Sequence, residues 1–188
     1  MLWLVVILGY FLGSFPTAYI AGRLLKGKDI REMGDGNMGA ANAFRQLGAK
    51  AGVLVGIVDA AKGTLAVLIA QGVDIPQPAI LAAGAAAVAG HNWPVLLRFH
   101  GGRGESTVIG VLLVLVTQPM LIVAMPAIAT LAISRNVTLA SAVLFIPLPL
   151  VGWWLGVPGA LVSYSVGLPC LVGFTHFLRI RRTVPRLT

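Results

Sequence analysis

From residue 136 to residue 178 the chain carries no Lys, Arg, Asp or Glu. A soluble domain carries about 25% charged residues, so a tract of this length without one cannot clothe a soluble fold. Three more tracts repeat the pattern. Residues 1–22 and 106–134 are uncharged, and 63–97 hold only Asp74. Small basic clusters separate them. Apolar residues make up 57% of the chain and charged ones 11%, which excludes a water-soluble enzyme and a disordered chain alike. The net charge of +8 would suggest a nucleic-acid partner if it were gathered on one surface. Scattered between apolar tracts, it describes an all-α integral membrane protein instead.

The tracts fall at 2–22, 51–70, 79–97, 105–118, 120–134, 138–154 and 158–177. The fourth and fifth are short of the roughly 20 residues a span needs, so one long tilted helix competes with two short ones. The positive-inside rule separates these readings. With seven spans and the N-terminus outside, the inner segments are 23–50, 98–104, 135–137 and 178–188. The outer segments, near 71–78, 118–119 and 155–157, contain no Lys or Arg. Merging the doubtful pair would place Arg103 and Arg135 on opposite sides, and would send Arg179, Arg181, Arg182 and Arg186 outside. The expectation is therefore one polytopic domain over 1–188, seven transmembrane helices with two of them short, and a cytoplasmic C-terminus. The first tract lacks the basic leader of a signal peptide and is followed by Arg23, Lys26, Lys28 and Arg31, as for an uncleaved helix. Cys170 is the only cysteine, so no intramolecular disulfide forms. No His, Cys or carboxylate spacing resembles a metal site, and no cofactor is expected.

Chemistry must reside where polar residues interrupt the apolar pattern. The stretch from Gly34 through Asp35, Gly36, Asn37, Gly39 and Asn42 to Arg45 offers exposed backbone N–H groups, two carboxamides and a guanidinium that can fork onto phosphate. The plainer reading is a Gly-rich loop entering a short helix. Gly101, Gly102, Arg103 and Gly104 run into a helix start at Glu105, Ser106 and Thr107, an arrangement suited to an anion; a tight turn with a snorkelling Arg is the alternative. Asp59 and Lys62 share a helix face inside the second span, as a functional charge or a self-neutralising pair. Arg135 begins a polar break reaching Ser141, and serves as an anchor or a ligand. His91 lies within the third span, as a packed histidine or a base. The tail from His176 to Arg186 is rich in Arg, for substrate or for anionic headgroups. Two phosphate-type sites at one membrane face suit a phosphorylated polar substrate meeting an apolar one.

These residues, in order, resemble the acyl-phosphate-dependent glycerol-3-phosphate acyltransferases, the PlsY family, over nearly the whole chain. Gly13-Ser14-Phe15-Pro16 resembles the family's GSIP. Gly34 to Arg45 resembles GSGNxGATNxxR. Asp59 to Gly63 matches DxxKG. Gly90-His91 with Pro94-Val95 resembles GHxxPV. Phe99 to Thr107 resembles FxGGKGVAT, and Arg135 to Ser141 resembles RYVSLAS. The resemblance implies a seven-helix protein of the bacterial inner membrane with a cytoplasmic active site and no metal. It implies acyl transfer from acyl phosphate to the 1-hydroxyl of glycerol 3-phosphate, yielding lysophosphatidic acid and phosphate. Asn37, Arg45, Arg103, Ser141 and His176 would then be catalytic. Gly34, Asp35, Gly36, Gly39, Asn42, Lys62, His91, Gly101, Gly102, Gly104, Thr107, Arg135 and Arg182 would bind substrate or phosphate. Membrane lipids are the surroundings, and self-association or association with other phospholipid-synthesis enzymes is an open expectation.

The chain also departs from the family pattern. Asp35 stands at its Ser, Ala41 at its Thr, Arg103 at its Lys, Glu105-Ser106 at its Val-Ala, and Arg179 at its Asn. A carboxylate in a phosphate pocket repels its ligand unless it is protonated, turned away or acting as a base. These departures keep an inactive paralogue that binds lipid or partners as one alternative. A transporter or channel for a phosphorylated solute is another, although the outer half lacks the polar lining it would need. A CDP-alcohol phosphatidyltransferase is disfavoured, because its paired-aspartate signature is absent.

Overall fold

The computed structural model describes residues 1–183, with side chains as far as Phe177. Every regular element among them is helical. The expected seven tracts appear, but proline cuts them at points that periodicity does not reveal. The first becomes α1 (Leu2–Gly13) and α2 (Thr17–Lys26). Pro16 between them has no N–H, and its ring would clash with the carbonyl of Leu12 in a continuous helix. A loop and a 3-10 turn at Ile30–Glu32 lead to the short α3 (Ala40–Leu47) and then the long α4 (Ala49–Gln71). The third tract, α5 (Gln77–Asn92), stops before Pro94. The fourth and fifth are separate helices, α6 (Glu105–Leu115) and α7 (Thr117–Ser134). Pro119 in a continuous helix would strike the carbonyl of Leu115, the last residue of α6. The sixth tract divides near Pro147 into α8 (Val137–Phe145) and α9 (Leu148–Trp154), and α10 (Gly159–Thr183) closes the chain.

Six stretches among the described residues are long and apolar enough to cross a membrane: Leu2–Lys26, Ala49–Gln71, Gln77–Leu97, Thr117–Ser134, Val137–Trp154 and Gly159–Phe177. Only one of the two helices expected to be short is so. At 11 residues, α6 rises roughly 16 Å, whereas α7 has 18 residues.

The bundle is tightest where glycines let backbones touch. A Cβ on Gly13 of α1 would overlap the carbonyl of Ala87 in α5, and one on Gly110 of α6 would overlap that of Ala60 in α4. Small residues of this kind replace the hydrophobic driving force that lipid removes. Val67, Val88, Val108, Leu112, Met120 and Leu148 are buried together beside these seams.

One ionic cluster ties the elements that carry the site. Lys62 Nζ lies 2.7 Å from Asp59 Oδ1, with both side chains nearly inaccessible. The break at Pro16 frees the carbonyl of Phe15, and Lys62 donates to it at 2.9 Å. Thr17, on the other side of the break, donates to Asp59 at 3.0 Å. His91 Nδ1 of α5 sits 3.3 Å from Lys62 Nζ. A charge pair in lipid is costly unless its hydrogen bonds are made; the broken first helix supplies one to each charge, while Asp59 Oδ2 has no partner among the described residues.

Candidate active site

The first loop owes its shape to Asn42. This side chain of α3 is fully buried. Its amide donates to the carbonyls of Met33 and Asn37 at 3.0 Å each. The amide group of this carboxamide thus folds the loop, while its Oδ1 has no hydrogen-bond partner among the described residues. Gly34 and Gly36 take φ of +58° and +67°, a region that glycine enters at little cost. A side chain on Gly34 would also strike Asn42 Oδ1. Asn37 is buried, and its backbone N–H donates to Asp35 Oδ1 at 3.1 Å. This bond fixes the aspartate in an Asx turn.

The second loop lies flat on the C-terminal end of α5. Gly101 N–H donates to the carbonyl of Asn92 at 3.2 Å, and Gly102 N–H to that of His91 at 2.9 Å. A Cβ at Gly102 would overlap the ring of His91. These two N–H groups, expected at a phosphate, are committed to α5. The anion-binding capacity of this segment lies further on, at Arg103 and the first turn of α6. There Gly104 (φ +86°) caps the helix without a side chain, leaving N–H groups unsatisfied by the helix itself. Arg98 and Phe99 hold positive φ of 53° and 61°, a strained approach to the loop.

The two loops meet through charge. Asp35 Oδ2 lies 2.9 Å from Arg45 and 3.5 Å from Arg103. Asp35 is therefore neither turned away nor facing a bare like charge, because its carboxylate sits between the two guanidiniums expected to hold phosphate. Arg103 Nε is buried and has no hydrogen-bond partner among the described residues. Beside it, the Ser141 hydroxyl of α8 is within hydrogen-bond distance of both the Glu105 carboxylate and the Val137 carbonyl. Its single proton serves one at a time. Thr175 of α10 donates to the Arg103 carbonyl at 3.3 Å, and the adjacent His176 is within electrostatic reach of Arg103 and Asp35. Arg45, Arg103, Asp35, Glu105, Ser141 and His176 therefore assemble from four separated segments.

Other expected site residues lie elsewhere. Lys62 and His91 are buried in the ionic cluster beneath the second loop and support it from below. Thr107 is fully buried, its hydroxyl without a partner among the described residues. Gly39 adjoins the Asn37 carboxamide and caps α3. Arg135 is exposed and ends α7 in a left-handed conformation, with no ion pair to the cluster among the described residues. The side chain of Arg182 lies outside the described residues, as does Arg186 altogether.

One contributor escaped the sequence reading. Arg31 counted there only as a topology charge. Its guanidinium forks onto buried Asp29 at 2.7–3.1 Å and reaches the Leu97 carbonyl at 3.3 Å, fastening the first loop to the approach of the second. The Arg31 bond holds the Asp29 carboxyl below the usual carboxylate range. The i, i+2 spacing of Asp29 and Arg31, with Asp as a cap, was the available signal.

A model of the glycerol-3-phosphate acyltransferase family matches residues 3–186. The chain belongs to that family. Among glycerol-3-phosphate acyltransferases, it is 50% identical to number 4 of Dehalococcoides mccartyi over 95% of its own length and 97% of the relative's. It is 39% identical to that of a Synechococcus species over 98% and 94%. Its fold is similar to the crystal structure of PlsY (YgiH), an integral membrane glycerol 3-phosphate acyltransferase, in the glycerol 3-phosphate form. The TM-score is 0.86 at 33% identity, over 96% of this chain and 90% of the other. The lysophosphatidic acid form of the same enzyme gives a TM-score of 0.80 at 31% identity.

Proposed function

We propose that this glycerol-3-phosphate acyltransferase takes its acyl group from acyl phosphate and passes it to the 1-hydroxyl of glycerol 3-phosphate. The products are lysophosphatidic acid and inorganic phosphate. The reading is carried by the convergence of Arg45 of α3 and Arg103 of the second loop on one carboxylate oxygen. Two guanidiniums aimed at one point make a seat for a phosphate.

In this seat, Arg45, Arg103 and the first turn of α6 hold phosphate charge. The 1-hydroxyl oxygen attacks the acyl carbonyl carbon. An ester C–O bond forms as the bond from that carbon to the phosphate oxygen breaks, and phosphate leaves with the electron pair. The hydroxyl proton passes to a phosphate oxygen. Acyl phosphate is already activated, so position and charge stabilisation suffice. Ser141, Glu105 and His176 line the approach and orient the hydroxyl. The acyl chain lies against the lipid-facing helices.

Seven crossings, with α1 and α2 forming the first and the short α6 the fourth, put both loops at the cytoplasmic face of the bacterial inner membrane. The location of every Lys and Arg, in the inner segments or within a helix close to them, supports this orientation. The test is purified protein with acyl phosphate and glycerol 3-phosphate, scored for lysophosphatidic acid. Product from wild type and none detectable from Arg45→Ala or Arg103→Ala is expected. Full activity in either variant refutes the assignment of the seat.

A further inference from the structure

The Asp35 carboxylate is anchored and aimed. Oδ1 is fixed by the Asn37 N–H at 3.1 Å, which leaves Oδ2 to face Arg45 and Arg103. A phosphate that uses both guanidiniums needs the same place, so the two anions compete. We propose that Asp35 is an intramolecular competitor that lowers the affinity of the phosphate seat for every anion that must displace it, an inference that rests on the proposed function above.

The physical argument is one of charge. Arg45 and Arg103 with Asp35 sum to +1, against +2 without it, before the neighbouring Glu105 carboxylate is counted. A singly charged anion that displaces Asp35 exchanges one unit of negative charge for another and gains little. A phosphate dianion brings a second unit and further acceptor oxygens. It can engage both forks and the buried Arg103 Nε, which has no partner among the described residues. The pair is also placed to open. Arg45 is half exposed, at 51%, and Asp35 is 36% exposed, so the carboxylate can turn into water when displaced. Ion pairs with this exposure are weak, so displacement is affordable and the loss in affinity is moderate. Asp35 thus lowers affinity so that weakly binding anions leave the seat empty, and it keeps the two arginines oriented toward each other before substrate arrives.

The test compares wild type with Asp35→Asn, Asp35→Ser and Asp35→Glu, each purified in detergent. Asn and Ser can still accept the Asn37 N–H and keep the turn, whereas Glu keeps the charge. Glycerol 3-phosphate binding is measured by calorimetry, and inhibition of turnover by sulfate and chloride is measured alongside. The Asn and Ser variants are expected to bind glycerol 3-phosphate about fivefold more tightly, the scale of one exposed ion pair. They should also become more sensitive to sulfate and chloride, while Glu stays near wild type. Unchanged or weaker binding in both Asn and Ser overturns the inference, as does a failure of all four proteins to bind glycerol 3-phosphate. Binding that tightens in the variants while wild type makes no lysophosphatidic acid supports the competitor and sinks the reading of the reaction.

Discussion

The helices up to α6 and those after it are packed by different means. In the first half, glycine seams bring backbones together, and a side chain at Gly13, Gly63, Gly90 or Gly110 would overlap a carbonyl oxygen. In the second half, Gly159, Gly167 and Gly173 have nothing within 4 Å of where a Cβ would stand. The buried ionisable residues divide in the same way. Asp29, Asp59, Lys62 and His91 belong to the first half, while among the described residues α7 to α10 bury only Ser165 and Thr175 as polar side chains. The contrast separates two demands on one enzyme. A headgroup phosphate needs donors fixed to a fraction of an ångström, which a backbone-packed frame provides. A fatty chain needs only apolar surface, and the second half offers Met125, Ile128, Ile146 and Leu150 to lipid.

The comparison breaks most visibly at the glycines. Gly110→Leu should leave no folded protein in the membrane, whereas Gly173→Leu should lie within about 0.5 kcal/mol of wild type. Equal thermal stability of the two variants would erase the distinction. Next in size is the ionic cluster. Asp59→Ala strands a buried ammonium and should cost about 3–5 kcal/mol, with much of the loss recovered in the double variant Asp59→Ala, Lys62→Met. A double variant as unstable as the single one would argue that the charges do more than neutralise each other. Ser141→Ala probes where the second half enters the site. Its kcat should fall by about a hundredfold, the scale of one well-placed donor, with less effect from Glu105→Gln. Wild-type turnover in Ser141→Ala would remove α8 from the chemistry. The smallest effect is at Asp29. Its folded-state carboxyl titrates below the ordinary range, so its stabilisation is present above the unfolded pKa and is lost as pH falls through the folded value. Asp29→Asn should cost on the order of 1 kcal/mol at neutral pH. The gap should close below about pH 4, and a pH-independent gap would mean that the Arg31 pair is not its source.

Much of the fold was legible because lipid enforces simple rules. Six of the seven apolar tracts coincide with stretches long and apolar enough to cross a membrane, and the i, i+3 spacing of Asp59 and Lys62 offered their pairing as one of two readings that the structure separates. The breaks at Pro16 and Pro147 were harder to place, since proline is tolerated within α7 at Pro126 and α10 at Pro169. The site was legible as residue types but not as partners. No local pattern states that Asn42 folds its own loop, that the N–H groups of Gly101 and Gly102 serve α5, or that Asp35 faces two arginines. Each of these depends on contacts between distant segments. The Asp35 substitution read as a defect in sequence and as a counter-ion in space, because a sequence motif carries no distances.

The bond from Lys62 to the Phe15 carbonyl also bears on how the protein enters its membrane. When α4 reaches the bilayer it brings an ammonium and a carboxylate that lipid cannot solvate. The carbonyl and the Thr17 hydroxyl that receive them belong to a segment synthesised earlier, 47 and 42 residues upstream. The proline break thus gives the nascent chain a polar berth before the charges arrive, and His91 closes it later from α5. The first span, α1 with α2, thus carries the acceptor for Lys62 and the donor for Asp59 before α4 is made.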